Sequence, residues 1–490
     1  MEPAMPHTSD QQADVAVIGA GTAGMSAYRA ALKHTSSVRL IESGDYGTTC
    51  ARTGCMPSKL LIAAADAAHG AANAGRFGIR VDPPVIDGVA VMERVRSERD
   101  RFVGFVVDAV DAWPQAHRLL GHASFVDSRT LAIDGPQGRS LLHAGRIVIA
   151  TGSSPVTLPE WRKTLGDRLL VNDDVFSWKD LPQSVAVVGA GVIGLELAQA
   201  LHRLGVRVHL YGRGGTTGPL TSPALQALAG QVLAAELPMT LDAMSLDVAR
   251  EGDSVVVRAR TAEGALSEAR FDWLLSAIGR RANVDGLGLA NTGLPLQANG
   301  VPAFDRRTGQ VGSSNVFIAG DAAQDRPLLH EAADEGHIAG DNAGRFPDVR
   351  VHARRAPLAI VFCDPQMMIA GASHAELMHS GASFATGSVS FADQGRSRVA
   401  GRNQGALEVY AERDSGRFLG AEMLGPAAEH IGHLLAWSVQ RGDTVQQMLD
   451  SPFYHPVIEE GLRTALRELR SALRMGPPPV PRCLDCGRGG

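Results

Sequence analysis

Short apolar runs that end in glycine or other small residues recur along this chain. Asp14–Ile18 and Val185–Val188 each read as a buried parallel strand, and each meets a glycine turn. A helical period follows both, over Met25–Lys33 and Leu195–Leu204. A second apolar strand follows each helix, over Val38–Ile41 and Val206–Tyr211. Three further runs share the strand-to-small-turn shape: Ile147 into Gly152, Leu274 into Gly279, and Val316 into Gly320-Asp321. The last is followed by a helical stretch, Leu328–Arg345. From Pro357 the pattern changes. Alternation over Phe384–Phe391 and Gly405–Tyr410 predicts antiparallel strands, and amphipathic helices are predicted over Ala427–Gly442 and Val457–Met475. The end, GPPPVPRCLDCGRGG, predicts an extended tail.

The first two units match residue for residue. Gly19-Ala-Gly21-Thr-Ala-Gly24 aligns with Gly189-Ala-Gly191-Val-Ile-Gly194, and Gly19 to Glu42 spans the same distance as Gly189 to Gly212. Strand, glycine turn, helix, strand is the form of a dinucleotide-binding unit. The glycines permit a tight turn and close backbone approach to a pyrophosphate at the helix N-terminus, and a terminal acid accepts hydrogen bonds from ribose hydroxyls. Two such units imply two dinucleotides and hydride transfer between them. The first unit ends in the acid Glu42; the second has Gly212, then Arg213. An absent acid beside an arginine favours the 2′-phosphate of NADP, while Gly194 as third glycine is the pattern more usual for NAD. The nucleotide stays open between NAD(H) and NADP(H). Asp321 is expected to bind a ribityl or ribose hydroxyl at a helix N-terminus.

Composition excludes several classes. With 490 residues the chain is expected to form about three domains. A net charge of −5 and 5% aromatics give no nucleic-acid surface. No apolar run is long enough to span a bilayer, and the first residues carry neither a basic nor an apolar leader. A cytoplasmic protein with no membrane partner is the expectation.

Five cysteines are too few for a disulfide scaffold, and a close pair is then catalytic or metal-binding. Cys50 and Cys55 lie in GTTCARTGCMPSK, Gly47–Lys59. In a regular helix their Cα atoms would stand roughly 8.6 Å apart, whereas a disulfide needs about 4.4–6.8 Å. If they bond, the segment is not an undistorted helix, and Gly54 and Pro57 are expected to supply the irregularity. Taken alone the pair reads as a redox disulfide, a metal pair or inert thiols; the metal reading lacks further ligands nearby, and no metal site is expected. Thiol exchange also needs a base. His455 is the candidate, with the Glu460 carboxylate placed to fix its tautomer.

Together these motifs resemble the flavin-dependent pyridine nucleotide–disulfide oxidoreductases, over about residues 12 to 475. The resemblance rests on Thr49-Cys50-x4-Cys55-x-Pro57-Ser58-Lys59 and His455-Pro456-x3-Glu460, with Ala150-Thr151-Gly152, Gly279-Arg280 and Gly320-Asp321 in the family's places. It implies an α/β fold: two Rossmann-like dinucleotide-binding domains, for FAD and NAD(P), and a C-terminal α+β dimerisation domain. The implied division is 1–152 and 281–354 for FAD, 153–280 for NAD(P), 355–475 for the interface, and 476–490 as a cysteine-containing tail. The implied cofactor-binding residues are Gly19, Gly21, Gly24, Glu42, Thr49, Lys59, Ala150, Thr151, Gly152, Gly189, Gly191, Gly194, Arg213, Gly279, Gly320 and Asp321. Cys50–Cys55 would be the redox disulfide, with Cys55 toward the flavin and Cys50 toward substrate. Lys59 would pair with Glu196 beside the flavin ring. The protein would be a homodimer, the His455–Glu460 dyad of one subunit facing the disulfide of the other.

Within the family the chain is closest in type to dihydrolipoamide dehydrogenase, and a small dithiol, disulfide or lipoyl-protein is the expected substrate. His455 stands where mercuric reductases usually carry tyrosine, and the soluble transhydrogenases lack one cysteine of the pair. Phe453, Tyr454 and Val457 depart from the His-x-His-Pro-Thr usual in dihydrolipoamide dehydrogenases, which points to a different substrate channel. The alternatives are a thioredoxin-, glutathione- or mercuric-reductase-like enzyme using Cys483 and Cys486 as a relay, and a non-catalytic redox sensor on the same fold.

Overall fold

The computed structural model describes residues 10–473; the Cys483–Cys486 pair lies outside them. The chain gathers into two compact units. One comprises 10–57, 94–156 and 279–354, the other 58–93, 157–278 and 355–473.

In the first unit, Asp10–Ile18 sits mid-sheet, with Val38–Glu42 and then Arg118–Leu120 to one side, all parallel. To the other side lies Gly138–Ile149, whose end also pairs in parallel with Val316–Ile318. Thr130–Gly135 and His122–Phe125 extend the sheet antiparallel. A parallel sheet is covered on both faces, and its buried stretches 15–18 and 147–149 are apolar throughout. Val15, Val17, Val148 and Phe317 face the helices Thr22–Ala31 and Leu329–Arg345, while Ile18, Ile147 and Ile149 pack with Phe125, Leu131 and Ile133. The two helices meet at glycine: a side chain at Gly336 or Gly340 would run into the backbone of Ala23 or Ala27. Gly336→Val is therefore expected to cost at least about 1–3 kcal/mol through overpacking, read as a lower urea midpoint.

In the second unit a parallel sheet runs Met239–Thr240, Arg207–Tyr211, Ser184–Val188, Trp273–Ser276, Leu169–Val171. A three-stranded antiparallel sheet, Ala243–Phe271, is attached within the same sequence. The C-terminal region is a five-stranded antiparallel sheet ordered Leu358–Val361, Gln366–Gly371, Phe418–Gly425, Ala406–Glu412, Phe384–Ser390. Ala428–Arg441 and Glu460–Ala472 pack on it through Ile431, Leu435, Leu462, Leu466 and Leu469. The helix predicted from Val457 starts at Glu460, after the cis His455–Pro456 bond. No described helix is long and apolar enough to cross a membrane.

Candidate active site

The two glycine turns are built alike. Gly19 and Gly189 have φ of +103° and +117°, conformations that favour glycine. A Cβ at Gly24 would strike the Gly19 carbonyl, and one at Gly194 the Gly189 carbonyl. At Gly21 and Gly191, by contrast, a Cβ would meet nothing within 4 Å. Those two residues are the N-caps of Thr22–Ala31 and Val192–Arg203, and neither helix has a side-chain cap. The leading amides of both helices thus have no side-chain cap, which suits a pyrophosphate. Beside the first turn, Thr151 Oγ1 is buried without a hydrogen-bond partner. These features fit a dinucleotide at each turn.

The acid ends differ as expected. Glu42 accepts the Ala20 amide at 2.7 Å and the Gly44 amide at 3.0 Å, leaving carboxylate lone pairs for a ribose. At Gly212 a Cβ would come 2.8 Å from that of Ala190, so the second turn has no room for an acid. Arg213 beside it is exposed and makes no ion pair or hydrogen bond among the described residues.

Gly320-Asp321 does not open the long helix. It forms its own 3-10 turn, Gly320–Ala323, closed by Gln324 in a left-handed conformation, and Leu329–Arg345 begins later. Residues missed in the sequence hold this turn. Ser153 Oγ donates to Asp321 Oδ2 at 2.7 Å and receives Arg280 Nε at 2.8 Å. Glu335 accepts the Gly320 amide at 2.9 Å and Arg354 Nη2 at 2.8 Å. Burial pushes the Glu335 carboxyl up to about 7, against the pull of Arg354. Ser153 directly follows Ala150-Thr151-Gly152, which was the available signal; Glu335 had none beyond its place on the buried helix face. Gly152 and Gly279 both have positive φ, at +71° and +127°.

Cys50 and Cys55 stand on different helices. Thr49–Arg52 carries Cys50 and is capped by Thr48 Oγ1, with Thr49 itself exposed; Cys55 opens Cys55–Ala72. The break falls at Thr53–Gly54, where a Cβ on Gly54 would lie 3.0 Å from the Thr49 carbonyl. Pro57, expected to share in the distortion, lies within the first turn of its helix, where a missing N–H costs nothing. Cys50 is half-buried and Cys55 exposed. Cys55 occupies the first position of its helix, at the positive end of the helix dipole.

Lys59 follows Cys55 by one turn. Its Nζ lies 2.7 Å from Glu196 Oε2 and 4.6 Å from the Phe362 ring centroid. Glu196 is 5% exposed, and its other oxygen accepts the Phe362 amide at 2.9 Å.

His455 Nδ1 stands 3.0 Å from both carboxylate oxygens of Glu460. Glu460 is only 2% exposed and also receives Arg463 Nη2 at 3.0 Å and the Val457 amide at 3.3 Å. A carboxylate can only accept, so Nδ1 carries a proton, and in the neutral imidazole Nε2 presents its lone pair. The His455 side chain is 55% exposed. A half-exposed imidazole oriented by a buried carboxylate is built to take and return a proton.

Comparison with known proteins agrees with these features. The pyridine nucleotide-disulphide oxidoreductase family matches residues 13–336, and its dimerisation domain matches residues 358–466. Among curated proteins, the dihydrolipoyl dehydrogenase of Haloferax volcanii is 29% identical over 462 residues, covering 92% of this chain and 95% of its own length. The mercuric reductase of Acidithiobacillus ferrooxidans is 30% identical over 470 residues, covering 93% of this chain and 82% of its own. LpdA from Mycobacterium tuberculosis shares the fold, with a TM-score of 0.79 at 22% identity over 94% of this chain and 99% of its own. The dimerisation domain implies a homodimer. The chain thus belongs to the pyridine nucleotide-disulphide oxidoreductases, a family that binds FAD and NAD(P)H, as a flavoprotein disulfide reductase of the lipoamide dehydrogenase and mercuric reductase group.

Proposed function

We propose that this protein passes electrons between NAD(P)H and a dithiol or disulfide through a Cys50–Cys55 redox disulfide, with dihydrolipoamide or a lipoyl-protein as substrate. The observation that carries the reading is the Glu460-bound His455, a proton acceptor with its tautomer set. In this reading residues 1–152 and 281–354 hold FAD, 153–280 hold the nicotinamide nucleotide, and 355–475 form the dimer interface, which brings the dyad of one subunit to the disulfide of the other.

In the dehydrogenase direction a substrate thiol gives its proton to His455 Nε2 and attacks the Cys50 sulfur. The Cys50–Cys55 bond breaks and Cys55 leaves as a thiolate. The second substrate sulfur then displaces Cys50, its proton passing to the departing Cys50 sulfur, which closes the product disulfide and leaves the enzyme pair reduced. What the flavin supplies when bound is two-electron exchange with the cysteine pair and hydride exchange with the nicotinamide. Gly21, Thr151, Glu42 and Asp321 are the residues that would hold it; Lys59, anchored by Glu196, would set a positive charge near its ring. The reductase direction reverses each step.

The test is a side-by-side assay with lipoamide, glutathione disulfide, thioredoxin and Hg(II), using both nucleotides. Lipoamide is expected to give the highest kcat/KM. A preference for Hg(II) would replace this reading with the mercuric-reductase one.

The closed space at Gly212 and the unpaired Arg213 favour NADP(H) at the second turn. Arg213→Ala is expected to raise the KM for NADPH by about tenfold, the scale of one lost charged contact, and to leave the KM for NADH unchanged. An unchanged NADPH KM would reject the role.

A further inference from the structure

The helix Val192–Arg203 carries a buried polar ladder that the proposed chemistry leaves unused. Glu196, Gln199 and Arg203 are spaced three and four residues apart and share one face. Burying such a face is costly unless every group is paired, and here each one is. Arg203, its side chain 4% exposed, reaches three carboxylates: Glu236 at 2.6 Å, Asp66 at 3.0 Å and Asp364 at 3.1 Å. Gln199 donates to the Asp364 carbonyl and to Glu236, and accepts the Asp364 amide at 2.8 Å. His69 stands 3.5 Å from Glu236.

The partners fall on two segments. Lys59, Asp66 and His69 lie along the helix Cys55–Ala72, and Phe362 and Asp364 lie in the turn between the strands Leu358–Val361 and Gln366–Gly371. The Glu196 carboxylate and the Phe362 ring, which contact Lys59 Nζ, are therefore tied to the ladder.

We infer that Arg203 is a positioning residue for Lys59, clamping through Asp66 and Asp364 the helix that carries Lys59 and the turn that carries Phe362. The inference rests on the proposed place of Lys59 beside the flavin. Lysine cannot replace the arginine, since one ammonium lacks the planar fork that meets several carboxylates at once.

The composition offers a clean probe. The chain has four lysines, Lys33, Lys59, Lys163 and Lys179, and all but Lys59 are exposed. Trace acetylation of the flavin-loaded dimer by acetic anhydride, read by mass spectrometry, reports each amine separately. In the wild type Lys59 is expected to react about tenfold more slowly than the others, because its amine must first break its contacts with the Glu196 carboxylate and the Phe362 ring. In Arg203→Lys and in Asp364→Asn that gap is expected to close to about threefold or less, with a shift in the oxidised flavin's visible spectrum and no change at Lys163. A general loosening would raise all the rates together. Asp364→Asn keeps the other ladder contacts and carries the test if Arg203→Lys fails to fold. Unchanged Lys59 reactivity and flavin spectrum in a folded variant overturn the inference. The measurement needs no turnover, so a failure of the disulfide chemistry would register in cysteine assays and not here.

Discussion

Replacing Cys50 with serine is expected to lower disulfide turnover by roughly 10³-fold or more, the scale seen when a covalent nucleophile is removed. The nucleotide should still bleach the flavin in an anaerobic cuvette. The separation follows from chemistry: flavin reduction needs the two dinucleotide turns, while exchange with an external sulfur needs the half-buried cysteine on Thr49–Arg52. Serine differs by one atom, and Thr48 caps that short helix through groups the substitution does not touch. Steady-state and single-turnover assays on the same preparation read both halves. Wild-type disulfide turnover in Cys50→Ser would remove this cysteine from the mechanism.

The second large effect is at His455. His455→Gln is expected to lower kcat for dithiol oxidation by about 10²–10⁴-fold, the usual share of a positioned general base, with little change in KM. Glu460 is buried and keeps Arg463 and the Val457 amide as partners, so the local fold should survive the change. If one subunit's dyad serves the other's disulfide, mixing matters. Randomly reassorted dimers of Cys50→Ser and His455→Gln have one intact site in each mixed dimer. They are expected to recover about a quarter of wild-type activity, by the statistics of twofold pairing. No recovery after subunit exchange would place the dyad and the disulfide of each site in one subunit.

Much of this architecture was legible in the chain. The two glycine turns could be read because a tight turn, an open helix start and a close strand-to-helix approach each demand glycine at a fixed place. The Gly212 and Arg213 difference could be read because the two units align without a gap. The dyad spacing was visible, yet the start of its helix was misplaced, since the apolar pattern runs on through Val457 while the helix begins at Glu460. The helix Gly88–Asp111 went unseen because its apolar stripe, with Met92 and Val95 buried, is broken by a dense run of arginines and acids. The strands from Ala243 to Phe271 alternate too weakly, with exposed charges on both ends. The Arg203 ladder and the Glu335 anchor were invisible for another reason. Their partners are far apart in sequence, and nothing local marks a buried charge.

The central claim is that electrons from the nucleotide arrive at Cys50 and Cys55. Differential alkylation tests it most directly. The flavin-loaded protein is treated anaerobically with one equivalent of NADPH or NADH, quenched with iodoacetamide and mapped by mass spectrometry. Both cysteines should resist alkylation in the oxidised protein and become labelled after reduction, while buried Cys363 stays unlabelled throughout. Equal labelling of Cys50 and Cys55 before and after the nucleotide would contradict the account.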